Sequence, residues 1–466
     1  MFGRSKQASK MGSTVAVIDL GTTKFTCLIG EWVDGAMPVA QSGPLSNSFA
    51  NGARSTDELG PEGYGGREGT GSRPLGSVLR IIGYGHQRAR GMKAGVLIDL
   101  DAAENAVRDV VSQAEKMAGH RVENVVVSVS CGRLQSLNYT TSVRLNGHGV
   151  RPSHIDEVMV AGRDYAAEDG RALLHLMPLG YTLDEATGVV DPINMVGDLL
   201  ELDLHAVTAD ISPLKNIALL LERCHLRAAR IMATSYASAL AVADLSEIEL
   251  GTTVIDIGGG TTKLALFANG YFVHSDAIAI GGDLISFEIA QALNCPLQEA
   301  ERIKVLYGSA FSAGMKLEGT DWDKPIQYSI VGEGQVTEGQ ISAAQLADII
   351  RPKVQHILSL VMDRLNNSGF GGHSGQRLIL TGGGSQLNGL AEFASEIFSK
   401  PVRLGAPPAI SGLPPEMLGG AFSSSIGLFE ALQRYDLADE FTMKVARGQH
   451  QGGYWSRMGT WLKDSF

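Results

Sequence analysis

Cysteine is scarce in this 466-residue chain: Cys27, Cys131, Cys224 and Cys295 are the only four, they lie far apart, and no CxxC joins any two. That spacing argues against a disulfide framework or a cysteine zinc site and for the reduced thiols of a cytosolic protein. Cations are also in deficit. The 39 Lys and Arg are outnumbered by 50 Asp and Glu, a formal net charge of −11. Nucleic-acid binding draws on clustered cations to neutralise phosphates, so this balance argues against it. No run of about 18 apolar residues occurs, so no helix spans a membrane and any membrane contact must be peripheral. The basic start, MFGRSKQASKMGS, is not followed by an apolar stretch of signal-peptide length.

What is present suffices for a sizeable core: 44% of residues are hydrophobic and 19% charged, over a length that suits two or three domains. Residues 42–76 are the exception, crowded with Gly, Ser and Pro and poor in apolar side chains. They read as a flexible insertion in a folded domain. Around them the pattern alternates strand and helix. Strands are expected over 14–20 and 24–33, joined by the turn GTT, and again over 122–130, 134–145 and 198–208. Helices are expected over 101–117, 153–168 and 213–223, the last with Pro213 in its first turn, where a missing N–H costs nothing.

An internal repeat carries the most information. VAVIDLGTTKFTCLI (15–29) and TVIDIGGGTTKLALF (253–267) share an apolar strand, an Asp, a glycine-containing turn, Thr-Thr-Lys and a second apolar strand. Two copies so far apart imply two similar domains facing each other rather than a solenoid, whose repeats are much shorter. Glycine in such a turn lets backbone N–H groups approach phosphate oxygens without obstruction by a Cβ. Gly21, Thr22 and Thr23 are the expected donors of the first turn, with Lys24 placing a cation on the terminal phosphates. Gly258, Gly259, Gly260 and Thr261 repeat the arrangement. Asp19 and Asp256 each end a buried-looking strand, where a carboxylate needs a partner, and a hydrated Mg²⁺ is the natural one. Either turn alone could be an ordinary β-turn; the matched pair argues for a ligand. A third segment, LILTGGGSQLNGL (378–390), runs a strand into Gly382, Gly383 and Gly384 and then a helix whose N-terminus favours anions.

These motifs resemble those of the actin superfamily, which includes actin, sugar kinases and heat-shock chaperones. DLGTTK and DIGGGT look like its two phosphate motifs and LTGGGSQ like its adenosine motif. SYASALAVADL (235–245) and GGAFSSSIGL (419–428) sit where its connecting helices belong. AERIK (300–304) resembles the segment that packs on adenosine, which implies Glu301 and Lys304 as contacts. IGGD (280–283), with Gly281 and Gly282, resembles the turn opening the small subdomain of the second half. Within the superfamily the sequence is most similar to the FtsA family of bacterial cell-division proteins, through RGMKAGVLIDL (90–100) and LLHLMPLGYTLD (173–184) and over nearly the whole chain outside 42–76.

That resemblance implies an α/β, actin-like two-domain fold of duplicated ribonuclease H-like domains, with a subdomain 1C in place of 1B. The expected division is 1A over 14–99 and 179–212, 1C over 100–178, mainly 2A over 213–281 and 350–429 with its last helix returning to 1A, and 2B over 282–349. A linker over 430–452 and a terminal amphipathic helix over 453–466 follow. It further implies ATP and Mg as cofactors, self-association into filaments, and FtsZ bound through 2B. Other divisome proteins and a place on the inner face of the cytoplasmic membrane at the division site are implied with them.

Two features qualify the expectation. Many actin-like ATPases carry Glu or Gln at the start of the first connecting helix to orient the attacking water; here Ser235 takes that position. Asp256 is the remaining candidate for assisting hydrolysis, so ATP is expected to bind with slow or undetectable turnover. At the other end, Tyr454, Trp455, Met458, Trp461, Leu462 and Phe466 fall within an arc of about 140° on a helical wheel, with only Ser465 intruding. Two tryptophans and flanking cations suit an interfacial helix, and polymerisation would multiply its weak hold. A small-molecule kinase on the same fold remains an alternative, although no acceptor pocket or base proposes itself. A chaperone would need a substrate-binding domain, for which too little chain follows the second connecting helix.

Overall fold

The computed structural model describes residues 14–34, 77–130, 133–167, 170–311, 321–332, 335–370 and 377–434. The expected insertion 42–76 and the terminal helix 453–466 lie outside them. The chain opens with strands β1 (Thr14–Leu20), β2 (Lys24–Asp34) and β3 (Ser77–Arg88), the small ladder β4 (Met92–Lys93) and β5 (Val96–Leu97), helix α1 (Leu100–Ala118) and β6 (Asn124–Val129). There follow β7 (Gln135–Arg144), α2 (Pro152–Ala166), β8 (Arg171–Leu183), β9 (Ala186–Val189) and β10 (Leu199–Asp210). Next are α3 (Ile211–Arg223), β11 (Arg227–Ala233), α4 (Thr234–Val242) and α5 (Leu245–Leu250). The second half runs β12 (Thr252–Ile257), β13 (Thr262–Ala268), β14 (Tyr271–Ile278), α6 (Gly282–Leu293), α7 (Leu297–Tyr307), β15 (Pro325–Gly332) and β16 (Gln335–Ser342). It closes with α8 (Ala343–Asn367), β17 (Arg377–Thr381), α9 (Leu390–Phe398), β18 (Val402–Leu404) and α10 (Ser423–Arg434).

The repeat seen in the sequence is a repeat of topology. One five-stranded sheet has the order β11-β6-β1-β2-β3 and the other, read in the same direction, β18-β17-β12-β13-β14. In each, the motif-bearing hairpin is antiparallel and its first strand pairs in parallel with the next, β1 with β6 and β12 with β17. Both hairpins read as nearly unbroken apolar runs because helices cover both faces. In the first sheet α1 packs on β2 and β3, while α10 packs on β1, β2 and β6. Helix α1 is bounded as its sequence dictates: the Asp99 side chain accepts from the Ala102 N–H, and Gly119, at φ 79°, ends the helix in the left-handed region.

Helices α4 and α10 cross between the halves. They pack together so closely that a Cβ on Gly427 would stand 1.7 Å from the Ala237 carbonyl oxygen. Each serves a strand end: α4 lies against β12 and β13, and α10 against β1 and β2.

The inserted unit is a four-stranded sheet, β7-β10-β8-β9, with α2 on one face. Its boundaries differ from the expected 100–178. Helix α1 and strand β6 belong to the first sheet and its core, while β8 and β10 carry the inserted sheet on to Asp210, through the stretch 179–212 expected in 1A. Hydrophobic periodicity marks elements but not the sheet they join, since β6 and β7 follow each other closely yet pair with different partners. Likewise α10 continues through Arg434, past the expected linker start at 430.

Polar contacts seam the inserted sheet to the second half. Ser136 Oγ accepts from the Ser275 N–H at 2.7 Å and shares its one proton between the Ser275 carbonyl at 3.0 Å and His205 Nε2 at 2.9 Å, and the Asn138 amide donates to the Val273 carbonyl at 3.1 Å. Buried His205 spans Ser136 Oγ at 2.9 Å and the Phe272 carbonyl at 2.7 Å; burial, chiefly, pushes its pKa down to about 3. It therefore stays neutral at physiological pH.

Candidate functional site

The turns after β1 and β12 face each other across a cleft of about 470 Å³. Asp19 and Asp256, each at most 5% exposed, stand on its walls. Each buried carboxylate has donors supplied by the fold. Asp19 accepts from Ser128 Oγ of β6 at 2.5 Å and from Ser424 Oγ of α10 at 2.8 Å. Asp256 accepts from Ser238 Oγ of α4 at 2.5 Å and pairs with Lys263 Nζ at 3.3 Å. The crossing helices thus exchange halves: the one that follows the first sheet serves the aspartate of the second, and the last helix serves the first.

The two loops are not copies in detail. Lys24 follows Asp19 by five positions, but Lys263 follows Asp256 by seven, because Gly259 and Gly260 lengthen the second turn. Cross-strand register changes accordingly: Thr26 lies opposite Asp19, whereas Lys263 lies opposite Asp256. Lys263 is therefore an ion-pair partner of the aspartate. Lys24 instead lies with its Nζ 3.2 Å from the Phe422 ring centroid and donates to the Ala421 carbonyl. Burial lowers the Lys24 pKa to about 8, against the opposing pull of Asp19 and Asp256, and the Lys263 charge lowers it further.

Of the residues the sequence singled out, the cleft wall brings together Asp19, Gly21, Thr22, Thr23, Lys24, Asp256, Gly258, Gly259, Thr261, Gly282, Glu301, Lys304, Gly382, Gly383 and Gly384. Gly260 and Gly281 stand behind it. A Cβ on Gly260 would meet Thr22 Cγ2 at 2.6 Å, and one on Gly281 would meet the carbonyl oxygens of Gly258 and Gly259 at 2.4 and 2.5 Å. The start of α6 locks the second loop, with the N–H groups of Gly282 and Asp283 donating to those same carbonyls at 2.8 Å. Glu301 and Lys304, one turn apart on α7, pair at 2.6 Å, and Lys304 also donates to Ser286 Oγ at 2.8 Å and the Gly282 carbonyl at 3.2 Å.

Two expectations are corrected. The glycines after β17 do not open an α-helix: Gly382 sits at φ 86° and a four-residue 3₁₀ turn, Gly383–Gln386, follows, with α9 starting only at Leu390. Three glycines in a row are poor helix formers, so the chain turns tightly before the helix begins. Ser235 does not line the cleft; its Oγ is buried against Ser275 Oγ at 2.6 Å, and Thr234 faces the cavity instead. Neither residue is a carboxylate or an amide.

Sequence reasoning also missed Asp283, on the cleft wall, whose pKa is raised chiefly by burial, with Lys304 opposing. The seryl donors Ser128, Ser238 and Ser424 were equally invisible, since their role depends on which strand ends they meet. The unequal Asp-to-Lys spacing was the one available signal, and it does indicate that the lysines differ.

Two matching five-stranded sheets, crossed by two helices over a cleft lined by paired Asp-Gly-Thr turns, define an actin-like fold. A PilM–PilN type IV pilus biogenesis complex shares it, with a TM-score of 0.56 at 16% identity over 90% of this chain and 98% of that one. The chain belongs to the FtsA family of cell-division proteins. The family model "Cell division protein FtsA" matches residues 253–427, and "SHS2 domain inserted in FTSA" matches 131–208, the four-stranded unit. The FtsA of Agrobacterium fabrum is 39% identical over 98% of this chain and 96% of its own length. That of Escherichia coli is 28% identical over 84% and 93%.

Proposed function

We propose that this protein binds Mg-ATP between the two aspartate-bearing turns. We further propose that it polymerises on the inner face of the cytoplasmic membrane and tethers FtsZ filaments there through 2B, helping to recruit other divisome proteins. The observation that carries the reading is the pair of buried carboxylates, Asp19 and Asp256, facing one cleft beside Lys24 in a member of a cell-division family. Among the described residues no three His, Cys, Asp or Glu side chains cluster as a metal cage. Two carboxylates on a polar cleft suit a hydrated Mg²⁺ completed by phosphate oxygens. Bound there, Mg²⁺ would neutralise charge on the β- and γ-phosphates. Lys24 and the turn N–H groups supply the remaining positive potential, and Glu301 with Lys304 would meet the nucleoside.

No described helix is long and apolar enough to cross a membrane. Attachment is assigned to Tyr454, Trp455, Met458, Trp461, Leu462 and Phe466. Co-sedimentation with anionic vesicles tests this: the full chain pellets with lipid, and a chain lacking 453–466 stays in the supernatant. Undiminished pelleting of the truncated protein would refute the assignment. Electron microscopy on a lipid monolayer tests the polymer, with filaments expected when ATP is present and monodisperse protein under every condition counting against it.

Nucleotide affinity is expected to depend on pH through Lys24. Below about pH 8 its ammonium is charged in the free protein and meets phosphate at no cost. Bound phosphate raises its pKa, so above 8 binding must take up a proton, and affinity falls by about tenfold for each further pH unit. Calorimetry at pH 9 in two buffers of different ionisation enthalpy should show that uptake, and at pH 6.5 should not.

A further inference from the structure

Strand β11 is the edge of the first sheet, so the N–H groups on its outer side have no strand to bond. At its last residue, buried Ala233, the N–H donates instead to His175 Nε2 of β8, in the inserted sheet, at 2.9 Å. Ala233 is also the residue before α4, and its own side chain offers that helix no cap. The next residue, Thr234, lines the cleft. One imidazole therefore ties the start of the connecting helix to the inserted sheet.

A ring nitrogen that accepts carries no proton, so in the neutral ring the proton sits on Nδ1. Nδ1 is buried and has no hydrogen-bond partner among the described residues. The surroundings keep the ring neutral. Burial first, then Arg230 of β11 and His205 of β10, hold its pKa well below the usual histidine value. His274 of β14 acts in turn on His205, and Tyr236 of α4 packs edge-on to His175 with the ring centroids 5.1 Å apart. The positive end of α4 adds to the same bias. An imidazolium would turn Nε2 into a donor facing the Ala233 donor, and the tie would break.

We propose that His175 is a positioning residue that couples the inserted sheet to the nucleotide cleft by holding the start of α4, and with it Thr234, in place. This rests on the proposed ATP site. Helix α4 also carries Ser238 to Asp256, so a displaced helix start disturbs the donor of a cleft carboxylate as well. The coupling runs both ways: whatever shifts β8 changes nucleotide affinity, and nucleotide that seats α4 tightens its hold on β8. It also depends on pH. Released into water, the imidazole regains an ordinary pKa near 6.5, so detachment of β8 from α4 takes up a proton below about pH 6.5 and none above it. The hold is complete above that pH and weakens as the pH falls, by up to about tenfold per unit.

The test combines ATP titrations with hydrogen exchange of the peptide covering 231–236 in the nucleotide-free protein. His175→Leu removes the acceptor and should weaken ATP binding by about three- to tenfold, the worth of one hydrogen bond, and speed exchange of that peptide. His175→Gln places an amide oxygen where Nε2 stood and should restore both. Leu204→Ala, which opens a cavity in the separate core of the inserted unit, should lower the melting temperature and leave affinity unchanged. Between pH 7.5 and 5.5, protection of 231–236, corrected for intrinsic exchange, should fall about tenfold in the unaltered protein and less in His175→Gln. Unchanged affinity in His175→Leu, equal losses in His175→Leu and Leu204→Ala, or an equal fall with pH in His175→Gln would overturn the positioning role. If the unaltered protein does not bind ATP, the proposed function fails, and exchange of 231–236 alone decides whether His175 holds α4.

Discussion

Gly259→Ala is expected to weaken ATP binding by about 10- to 100-fold without unfolding the protein. The added Cβ would lie 2.2 Å from Thr23 Cγ2 on the opposing turn and 3.0 Å from Asp283 Oδ1. Threonine is stiff at χ1, so its methyl cannot simply swing aside, and the turns must separate. Overpacking of this kind costs about 1–3 kcal/mol, and here the cost falls on the closed arrangement that holds the ligand. The contact lies at the cleft rather than in either core, so the melting temperature should change little. Gly270→Ala is the control. Gly270 sits at φ 87° with nothing within 4 Å of an added Cβ, so the substitution costs about 1 kcal/mol of stability through backbone strain and should leave affinity unchanged. Calorimetric titration with ATP beside thermal melts separates the two effects, and ordinary affinity in Gly259→Ala would refute the closed clamp.

That the two turns face each other was legible from the chain. VAVIDLGTTK and VIDIGGGTTK announce the same strand-turn-strand unit, and a long-period repeat of a unit that cannot fold alone implies two halves. Strand and helix positions were also legible wherever periodicity was clean, as over 100–118 and 252–268. The connecting helices were expected at 235–245 and 419–428 from the resemblance; what escaped was which side chains they carry to which strand end. Ser424 reaches Asp19 and Ser238 reaches Asp256 only because α10 and α4 cross between the halves, and no local pattern encodes that exchange. The apparent identity of the two Thr-Thr-Lys segments was misleading for a geometric reason. Two extra glycine positions move Lys263 opposite Asp256, so the same tripeptide serves a buried ion pair in one half and a cleft cation in the other.

The boundaries of the inserted unit were hidden by a related cause. Strand β7 is half polar, with Ser136 and Asn138 among its residues, and alone it reads as an exposed strand. Ser136 and Asn138 are instead matched to carbonyls of β14, so hydrogen bonds add to the apolar contacts by which Leu174 and Val207 share a core with Phe272 of the second half. The adjoining Ser235–Ser275 contact brings this seam to the start of α4, one residue from cleft-lining Thr234. Motion of the second half on nucleotide binding would therefore act on the inserted sheet through short, directional contacts.

Asp256→Ala is expected to produce the largest loss of stability of any single change at the site. Asp256 is 4% exposed and neutralises Lys263, whose side chain is itself 8% exposed. Removing one partner of a buried pair leaves an uncompensated charge, which costs about 3–5 kcal/mol, and Ser238 loses its acceptor as well. The denaturation midpoint of the nucleotide-free protein should fall accordingly. A second substitution, Lys263→Met, should recover much of the loss, because a pair removed together leaves no buried charge behind. Asp256→Asn distinguishes packing from charge: it retains an acceptor for Ser238, so it should fold better than Asp256→Ala, yet its ATP affinity should respond less to Mg²⁺, with Asp19 the one carboxylate left. Turnover is a separate matter. With Thr234 and Ser235 at the start of α4, no carboxylate or amide stands there to orient water, and slow hydrolysis is expected even in the unaltered protein. Rapid steady-state ATP hydrolysis that disappears in Asp256→Asn would instead make this aspartate part of a catalytic apparatus, and the clamp an engine rather than a switch.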